Sequence, residues 1–145
     1  MVDKIIYTLG SSLRSEEEFL ELIGSYHIQL VIDVRRFPVS KLEHFNKNNL
    51  SASLKGLGVE YLYMGEQLGG YRRGGYQSYM ETQQFQQGVA EVMRWANRYN
   101  TTLLCAERFP WRCHRRFIAQ ALEGEGWVVV HILERDKTWM RKKLG

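Results

Sequence analysis

Short apolar runs that alternate with amphipathic segments constrain the fold of this chain more than any other feature of its sequence. The clearest run is Leu30–Val34, in which Asp33 is the one polar residue. Such a run is typical of a parallel strand that is covered on both faces. Segments with helical spacing lie between these runs, as in Phe19–Ile23. Because strands that alternate with helices form βαβ units with right-handed crossovers, the pattern predicts a mainly parallel sheet.

The same pattern predicts five strands and four main helices. The strands are Lys4–Leu9, Leu30–Val34, Val59–Met64, Thr101–Ala106 and Trp127–Leu133. The first helix begins after a cap at Ser15. The other three helices cover Asn46–Leu57, Phe85–Ala96 and Phe117–Leu122. The glycine-rich segment Gly65–Tyr76 is predicted to be a mobile loop, and the last residues a basic helix that includes Lys137, Arg141, Lys142 and Lys143. We therefore predict one three-layer, Rossmann-like α/β domain over residues 1–145, with a five-stranded sheet and helices on both faces.

The composition excludes several classes of protein. Of the 145 residues, 44% are apolar and 25% charged, which fits one globular domain and excludes a collagen-like or disordered chain. The mean hydropathy of −0.39 argues against a membrane protein. Two cysteines are too few for a small secreted scaffold and no signal peptide precedes the first strand, so we expect a cytoplasmic location. The charge of +4 fits anionic ligands without requiring nucleic acid, which stays a possible partner, and we expect no membrane partner.

The predicted sheet brings several segments to one edge. If strand one is central, with strands two and three on one side and four and five on the other, the chain reverses direction between strands one and four. Ligands of open parallel sheets bind at the carboxyl edge near such a reversal. Gly10, Arg35 and Glu107 each follow a predicted strand. The site is therefore predicted at the carboxyl-terminal edge of the strands.

The segment Cys105–Arg116 carries the densest chemistry of the chain. A nearby cation or a helix N-terminus favours a thiolate, and either Cys105 or Cys113 could exploit this. Glu107 and His114 could transfer protons. The alternatives are two small core cysteines and a carboxylate that is solvated or paired with an arginine. These residues lack the spacing of zinc motifs, so we expect no metal, and we expect no cofactor.

Three further segments are candidates for contact with an anion. Thr8–Ser12 resembles a phosphate-binding turn, and an ordinary strand-to-helix turn is the alternative. Arg35 and Arg36 could clamp a phosphate or carboxylate, with Asp33 orienting one of them. The alternative there is a purely structural ion pair. Tyr71–Tyr76 combines aromatic, arginine and glycine residues that could stack on bases or simply form a solvated loop.

Several motifs, taken in order along the chain, resemble those of one protein family. They are Thr8-Leu9-Gly10-Ser11-Ser12, Asp33-Val34-Arg35-Arg36-Phe37-Pro38, Phe45-Asn46, Leu68-Gly69-Gly70, Tyr79-Met80, Cys105-Ala106-Glu107 and Cys113-His114-Arg115. On these motifs the chain resembles the "domain of unknown function 488" (DUF488) family, from about Lys4 to about Ile132. The resemblance carries over no reaction, so it adds weight to these positions without implying a substrate.

A weaker likeness is to rhodanese and cysteine phosphatase domains. Ile32–Arg35 and a later cysteine at a strand end, followed by a helix, resemble their order of parts. In those domains the loop cradles an anion between the cysteine and an arginine. Here Glu107 closely follows Cys105, and a carboxylate beside a thiolate raises the pKa of the thiol and repels an anionic substrate. Arg108 and Arg112 fall on either side of the usual arginine spacing.

Three functional hypotheses follow. The first is a small enzyme that binds a phosphate-bearing or other anionic ligand, such as a nucleotide, at the carboxyl edge of the sheet. The second is a non-catalytic module that binds nucleic acid or a protein, and the third is thiol-based transfer. The candidate catalytic residues are Glu107, Cys105, Cys113 and His114. The candidate ligand-binding residues are Thr8, Gly10, Ser12, Asp33, Arg35, Arg36 and Arg115.

Overall fold

Six strands form one sheet in the computed structural model of the chain, which describes residues 4–141. The strands are β1 (Ile5–Gly10), β2 (Leu30–Asp33), β3 (Glu60–Tyr63), β4 (Thr101–Cys105), β5 (Val128–Glu134) and β6 (Lys137–Trp139). The helices are α1 (Glu16–Ser25), α2 (Lys47–Gly56), α3 (Gly65–Leu68), α4 (Tyr76–Tyr79), α5 (Gln83–Ala96) and α6 (Arg115–Gly124). Two 3₁₀ turns cover Glu43–Phe45 and Pro110–Arg112. The expectation of a mixed α/β fold with a mostly parallel sheet is confirmed.

Side-chain caps explain where two of the helices begin. The hydroxyl of Ser15 accepts a hydrogen bond of 3.0 Å from the backbone N–H three residues later, as the sequence predicted for α1. Thr82 caps α5 in the same way. Asn46 precedes α2, but its side chain instead accepts a hydrogen bond of 2.7 Å from the backbone N–H of Ser40. This residue therefore holds the preceding loop and leaves the start of α2 without a side-chain cap.

The order of the strands differs from the prediction. The sheet runs β3-β2-β4-β1-β5-β6, so β4 lies between β2 and β1. The prediction that β4 lies on the far side of β1 from β2 was wrong. All residues of β4 are buried, as expected for a strand with a neighbour on each side. Sequence alone missed this position because pairing between distant strands leaves no local signal.

A sixth strand replaces the predicted terminal helix. β6 pairs antiparallel with β5, so the predictions of five strands and of a basic terminal helix were wrong. Trp139 lies against His131 of β5, with 5.4 Å between the ring centroids. This cross-strand contact and the ladder hydrogen bonds favour a strand over an isolated helical turn. Lys142 and Lys143 lie outside the described residues.

Part of the glycine-rich segment is helical, although the sequence predicted a loop throughout. The short helix α3 covers Gly65–Leu68 and packs against the chain that follows β2. A Cβ on Gly65 would overlap the carbonyl of Arg35, and a Cβ on Gly69 would overlap the Arg36 backbone. The glycines therefore allow close packing of two segments, which is a different reason for glycine than loop mobility.

Helices cover both faces of the sheet. Ile32 of β2 belongs to a buried cluster with residues of α5 and α6, whereas its neighbour Val31 belongs to a second cluster with residues of α1 and α2. Successive residues of a strand point to opposite faces, so the two clusters lie on opposite sides of the sheet. Within residues 4–141, no helix has the length and apolar character needed to cross a membrane.

The carboxyl ends of β1 and β4 pack too closely for a side chain at Gly10. Gly10 lies beside Cys105 in the register of the two strands. The next two N–H groups of the chain donate hydrogen bonds of 2.8 Å to the carbonyls of Cys105 and Ala106. A Cβ on Gly10 would overlap the backbone carbonyl of Glu107. Glycine is therefore required here by the close approach of two backbones.

We expect Gly10→Ala to lower the free energy of unfolding by about 1–3 kcal/mol or more, because the backbone must move to admit the methyl group. The matched control is Gly24→Ala in α1, where no atom lies within 4 Å of the added Cβ. That substitution should raise the free energy of unfolding by about 0.5–1 kcal/mol. Urea denaturation of the two variants measures both effects, and equal stability of Gly10→Ala and the wild type would contradict the packing argument.

Candidate functional site

The strand order opens a cleft between β2 and β4. The chain leaves β2 toward β3 and leaves β4 toward β5, on the opposite side. The two connections diverge, which creates space outside the carboxyl ends of these strands. The chain reversal therefore lies between β2 and β4, and the prediction that placed it between the first and fourth strands was wrong. A cleft of about 490 Å³ lies at this position.

Three segments of the chain line this cleft. The lining residues are Arg35, Arg36, Phe37 and Val39 after β2, Gly70 and Tyr71 after α3, and Ala106, Glu107, Arg112, Cys113 and His114 after β4. The predicted site residues among them are Arg35, Arg36, Glu107, Cys113 and His114. The chain thus brings part of the predicted set together in one place.

A buried ion pair fixes Arg35 at the end of β2. Hydrogen bonds of 2.9 and 2.8 Å join its guanidinium to the two carboxylate oxygens of Asp33, and another of 2.7 Å reaches the carbonyl of Phe45. The hydroxyl of Tyr61 also donates to Asp33. Burial would lower the pKa of Arg35, but the hydrogen bond and charge of Asp33 outweigh burial and raise that pKa above its usual value. Arg35 is therefore charged, and Asp33 balances its charge.

Two other arginines of the cleft carry charge that no carboxylate balances. Arg36 is half-buried and Arg112 is exposed. Among residues 4–141, no carboxylate forms an ion pair with either guanidinium. Glu107 is the single acidic residue of the lining, so the cleft carries a net positive charge. Such a cleft attracts anions.

An exposed aromatic pair stands at the rim of the cleft. The ring centroids of Phe37 and Tyr71 are 6.1 Å apart, and 63% and 87% of the two residues' surfaces are exposed. Tyr71 has a φ of 59°, in the left-handed region, which costs a non-glycine residue about 1–3 kcal/mol. Strained backbone and large exposed rings are both more frequent at binding sites than elsewhere.

The two cysteines lie in contact at the floor of the cleft. Their Sγ atoms are 3.0 Å apart, and both are free thiols. Cys105 is fully buried at the end of β4, whereas Cys113 is 8% exposed and lines the cleft. Nη1 of Arg115 donates a hydrogen bond of 3.0 Å to the sulfur of Cys105, and the Arg115 side chain is itself fully buried. A cation therefore lies directly behind the inner sulfur.

This arrangement favours ionisation of Cys105. Burial would raise the pKa of its thiol, but the hydrogen bond from Cys113 and the positive charge of Arg115 outweigh burial and lower the pKa to about 7. The same hydrogen bond, together with burial, raises the pKa of Cys113 well above its usual range. Just above neutral pH the pair therefore holds one proton, which lies on the sulfur that faces the cleft.

The free lone pair of His114 faces Cys113. Its Nε2 lies 3.1 Å from the carbonyl of Val34. A carbonyl can only accept, so Nε2 carries the hydrogen and Nδ1 has the free lone pair. Nδ1 lies 3.6 Å from the sulfur of Cys113. Burial lowers the pKa of His114, so the imidazole is neutral at pH 7.

The remaining predicted ligand-binding residues lie outside the lining of the cleft. Thr8 is buried, and its hydroxyl lies 2.6 Å from Nδ1 of His131. Gly10 and Ser12 face the backbone that follows β4. Arg115 lies behind the inner cysteine. Direct contact of these residues with a ligand stays a prediction.

Phe37 and Arg112 were not predicted as site residues, and Tyr71 was predicted only within the segment Tyr71–Tyr76, which could stack on bases or form a solvated loop. Phe37 directly follows Arg36, and Tyr71 directly follows the Leu68-Gly69-Gly70 motif. Their position next to a predicted site residue or a family motif was the signal that could have identified them. Arg112 lies between the two cysteines and was not among the predicted ligand-binding residues.

The cleft can combine several kinds of chemistry. It offers two unbalanced guanidinium groups, a carboxylate, a neutral imidazole and a thiol around one space. Within residues 4–141, no group of three His, Cys, Asp or Glu side chains forms a candidate metal site.

The fold and the cleft together define an α/β protein with a cationic, thiol-lined cleft beside the ends of its central strands. The chain belongs to the family described as "Domain of unknown function DUF488", whose model matches residues 15–122. This confirms the resemblance found in the motifs. The matched range contains every residue of the cleft lining and begins after Thr8, Gly10 and Ser12. No curated protein and no solved structure matches the chain.

We expect the wild-type protein to form a thiolate with a midpoint at about pH 7, because Arg115 and Cys113 stabilise ionised Cys105. Ultraviolet absorbance of the thiolate measures this ionisation even for a buried sulfur. Cys105→Ser should abolish the transition near pH 7. Cys113→Ser is the control, since a serine hydroxyl can still donate to Cys105 and the transition should persist. A Cys105→Ser variant that titrates like the wild type would show that another group is responsible.

Proposed function

We propose that this protein is a small enzyme that binds a phosphate-bearing, nucleotide-like anion in the cleft between β2 and β4. The observation that carries the proposal is the pair Arg36 and Arg112, whose charges no carboxylate among residues 4–141 balances. Guanidinium groups bind phosphate oxygens through charge-assisted, often bidentate hydrogen bonds. A phosphate bound between them would supply the missing negative charge.

The aromatic rim supports a ligand that also has a planar part. The rings of Phe37 and Tyr71 are exposed at the same cleft as the two arginines. A base stacked on an aromatic ring gains about 1–3 kcal/mol. The rim and the arginines therefore match the two ends of a nucleotide.

Acid–base chemistry in this proposal falls to Glu107 and His114. Glu107 is exposed at the cleft beside the cations, where it can take a proton from a bound reactant or return one. His114 is neutral and has its free lone pair on Nδ1. Cys113 and, behind it, Cys105 shape the floor between them.

A non-catalytic nucleic-acid-binding module would use the same arginines and rings, and it remains the second candidate on that account. It differs in requiring neither Glu107 nor His114. Direct transfer of a group through Cys105 has weaker support, because that sulfur is fully buried behind Cys113.

We expect Arg36→Ala and Arg112→Ala each to weaken binding of nucleoside 5′-phosphates about 10- to 100-fold, since each removes charge-assisted hydrogen bonds worth about 1.5–3 kcal/mol. Titration calorimetry against nucleoside monophosphates and inorganic phosphate measures the affinities. Arg98→Ala is the charge-matched control, because Arg98 is exposed and precedes β4, at the opposite edge of the sheet. An equal loss of affinity in Arg98→Ala would show that only the overall charge matters.

We expect Glu107→Gln to reduce turnover of a bound nucleoside phosphate about 10²- to 10⁴-fold while its affinity is kept or improved, because the amide cannot transfer the proton and no longer repels the anion. Chromatography of nucleoside phosphates incubated with the two proteins measures turnover. If the wild type binds single-stranded nucleic acid but turns over no nucleoside phosphate, the non-catalytic candidate replaces the enzyme.

A further inference from the structure

The cysteine pair has features that anion binding does not explain. The Sγ atoms of Cys105 and Cys113 are already 3.0 Å apart, and a disulfide bond is about 2.05 Å long. The chain between the two residues contains one 3₁₀ turn and otherwise no regular structure. The sulfurs must approach by about 1 Å to bond, and most of the segment between them has no regular structure that would oppose this movement.

The surroundings of Arg115 indicate that one sulfur is ionised, which simple packing of two cysteines does not need. Arg115 is fully buried, and no carboxylate among residues 4–141 pairs with it. Its Nη2 donates a hydrogen bond of 2.9 Å to the carbonyl of Arg108, and its Nη1 donates one to the sulfur of Cys105. Its Nε has no hydrogen-bond partner in the described part of the chain. A buried cation requires a negative partner. The Cys105 sulfur is the group in position to provide it.

The two sulfurs differ in access. Cys105 has no exposed surface, whereas Cys113 borders the cleft and has Nδ1 of His114 within 3.6 Å. A reactant in the cleft therefore meets Cys113 first. Cys105 lies directly behind it, in the position of a resolving thiol.

We propose that Cys105 and Cys113 are a redox pair that exchanges with low-molecular-weight disulfides in the cleft and closes to an intramolecular disulfide. This inference goes beyond the anion-binding function and does not depend on which anion the cleft holds. The net positive charge of the cleft favours a disulfide reactant that carries carboxylates.

The exchange proceeds in two steps that balance. The single proton of the pair moves from Cys113 to Cys105, and the Cys113 thiolate attacks one sulfur of the reactant, which breaks the S–S bond and releases the first thiolate. That thiolate takes the proton from Cys105, and the Cys105 thiolate attacks the Cys113 sulfur and releases the second. Each protein sulfur loses one electron, and each sulfur of the reactant gains one.

Mass spectrometry of the folded protein incubated with a large excess of oxidised glutathione, and with no reduced glutathione added, tests the proposal, because this excess drives the exchange even when the pair has a high reduction potential. The wild type should lose two hydrogen atoms, carry no glutathione at the end of the reaction, and recover its mass with dithiothreitol. Failure of the folded wild type to lose two hydrogens would overturn the proposal, and this result needs no variant.

The order of attack is tested with two serine variants. Cys105→Ser should stop at the mixed disulfide and carry one glutathione, which peptide mapping places on Cys113. Cys113→Ser should react about tenfold or more slowly, because buried cysteines are inert. Equal modification of both variants would contradict the assigned roles. Calorimetry with phosphate tests the proposed function separately, so either proposal can fail alone.

Discussion

The carboxyl end of β4 is held by backbone hydrogen bonds on both sides, and the position of the cleft residues that follow β4 depends on this constraint. On the side of β2, the N–H of Val34 donates a hydrogen bond of 2.9 Å to the carbonyl of Leu104. On the side of β1, the N–H of Ser11 donates one of 2.8 Å to the carbonyl of Cys105. The chain leaving β4 thus has a fixed start and must pass over the end of β1, where glycine leaves room for it. Glu107 lies on this path and borders the cleft, and the chain returns to the cleft at Cys113.

Three buried arginines near this edge show how the protein distributes its positive charge. Arg14 donates to two backbone carbonyls and to Glu18, Arg35 pairs with a carboxylate, and Arg115 faces a sulfur. Each of these guanidinium groups is oriented by its hydrogen-bond partners and stabilises the backbone or side chain that it contacts. The two arginines of the cleft that lack such partners are the ones free to meet a ligand. The division follows from burial, because a desolvated charge must be paired within the protein.

Local patterns in the sequence predicted the elements well and their arrangement poorly. The apolar run Leu30–Val34 became a buried strand because apolar periodicity reports burial directly. Strand order was missed because it depends on contacts between distant segments, and Trp139 forms a strand through its cross-strand contact rather than through local preference. Glu107 was predicted as a site residue because it directly follows a predicted strand. Tyr71 was predicted only as part of a segment that could bind a ligand or stay solvated, because the sequence does not show whether a tyrosine lies in the core or at an exposed rim.

The buried guanidinium behind the inner sulfur also sets the thermodynamic balance of the cysteine pair. Closing the disulfide removes the thiolate of Cys105 and leaves Arg115, which has no exposed surface, without a counter-ion. The fold therefore stabilises the thiol–thiolate pair more than the disulfide, which would give the proposed couple a high reduction potential. A disulfide formed here would pass its oxidising equivalents on to other thiols and return to the reduced state in which the cation is neutralised.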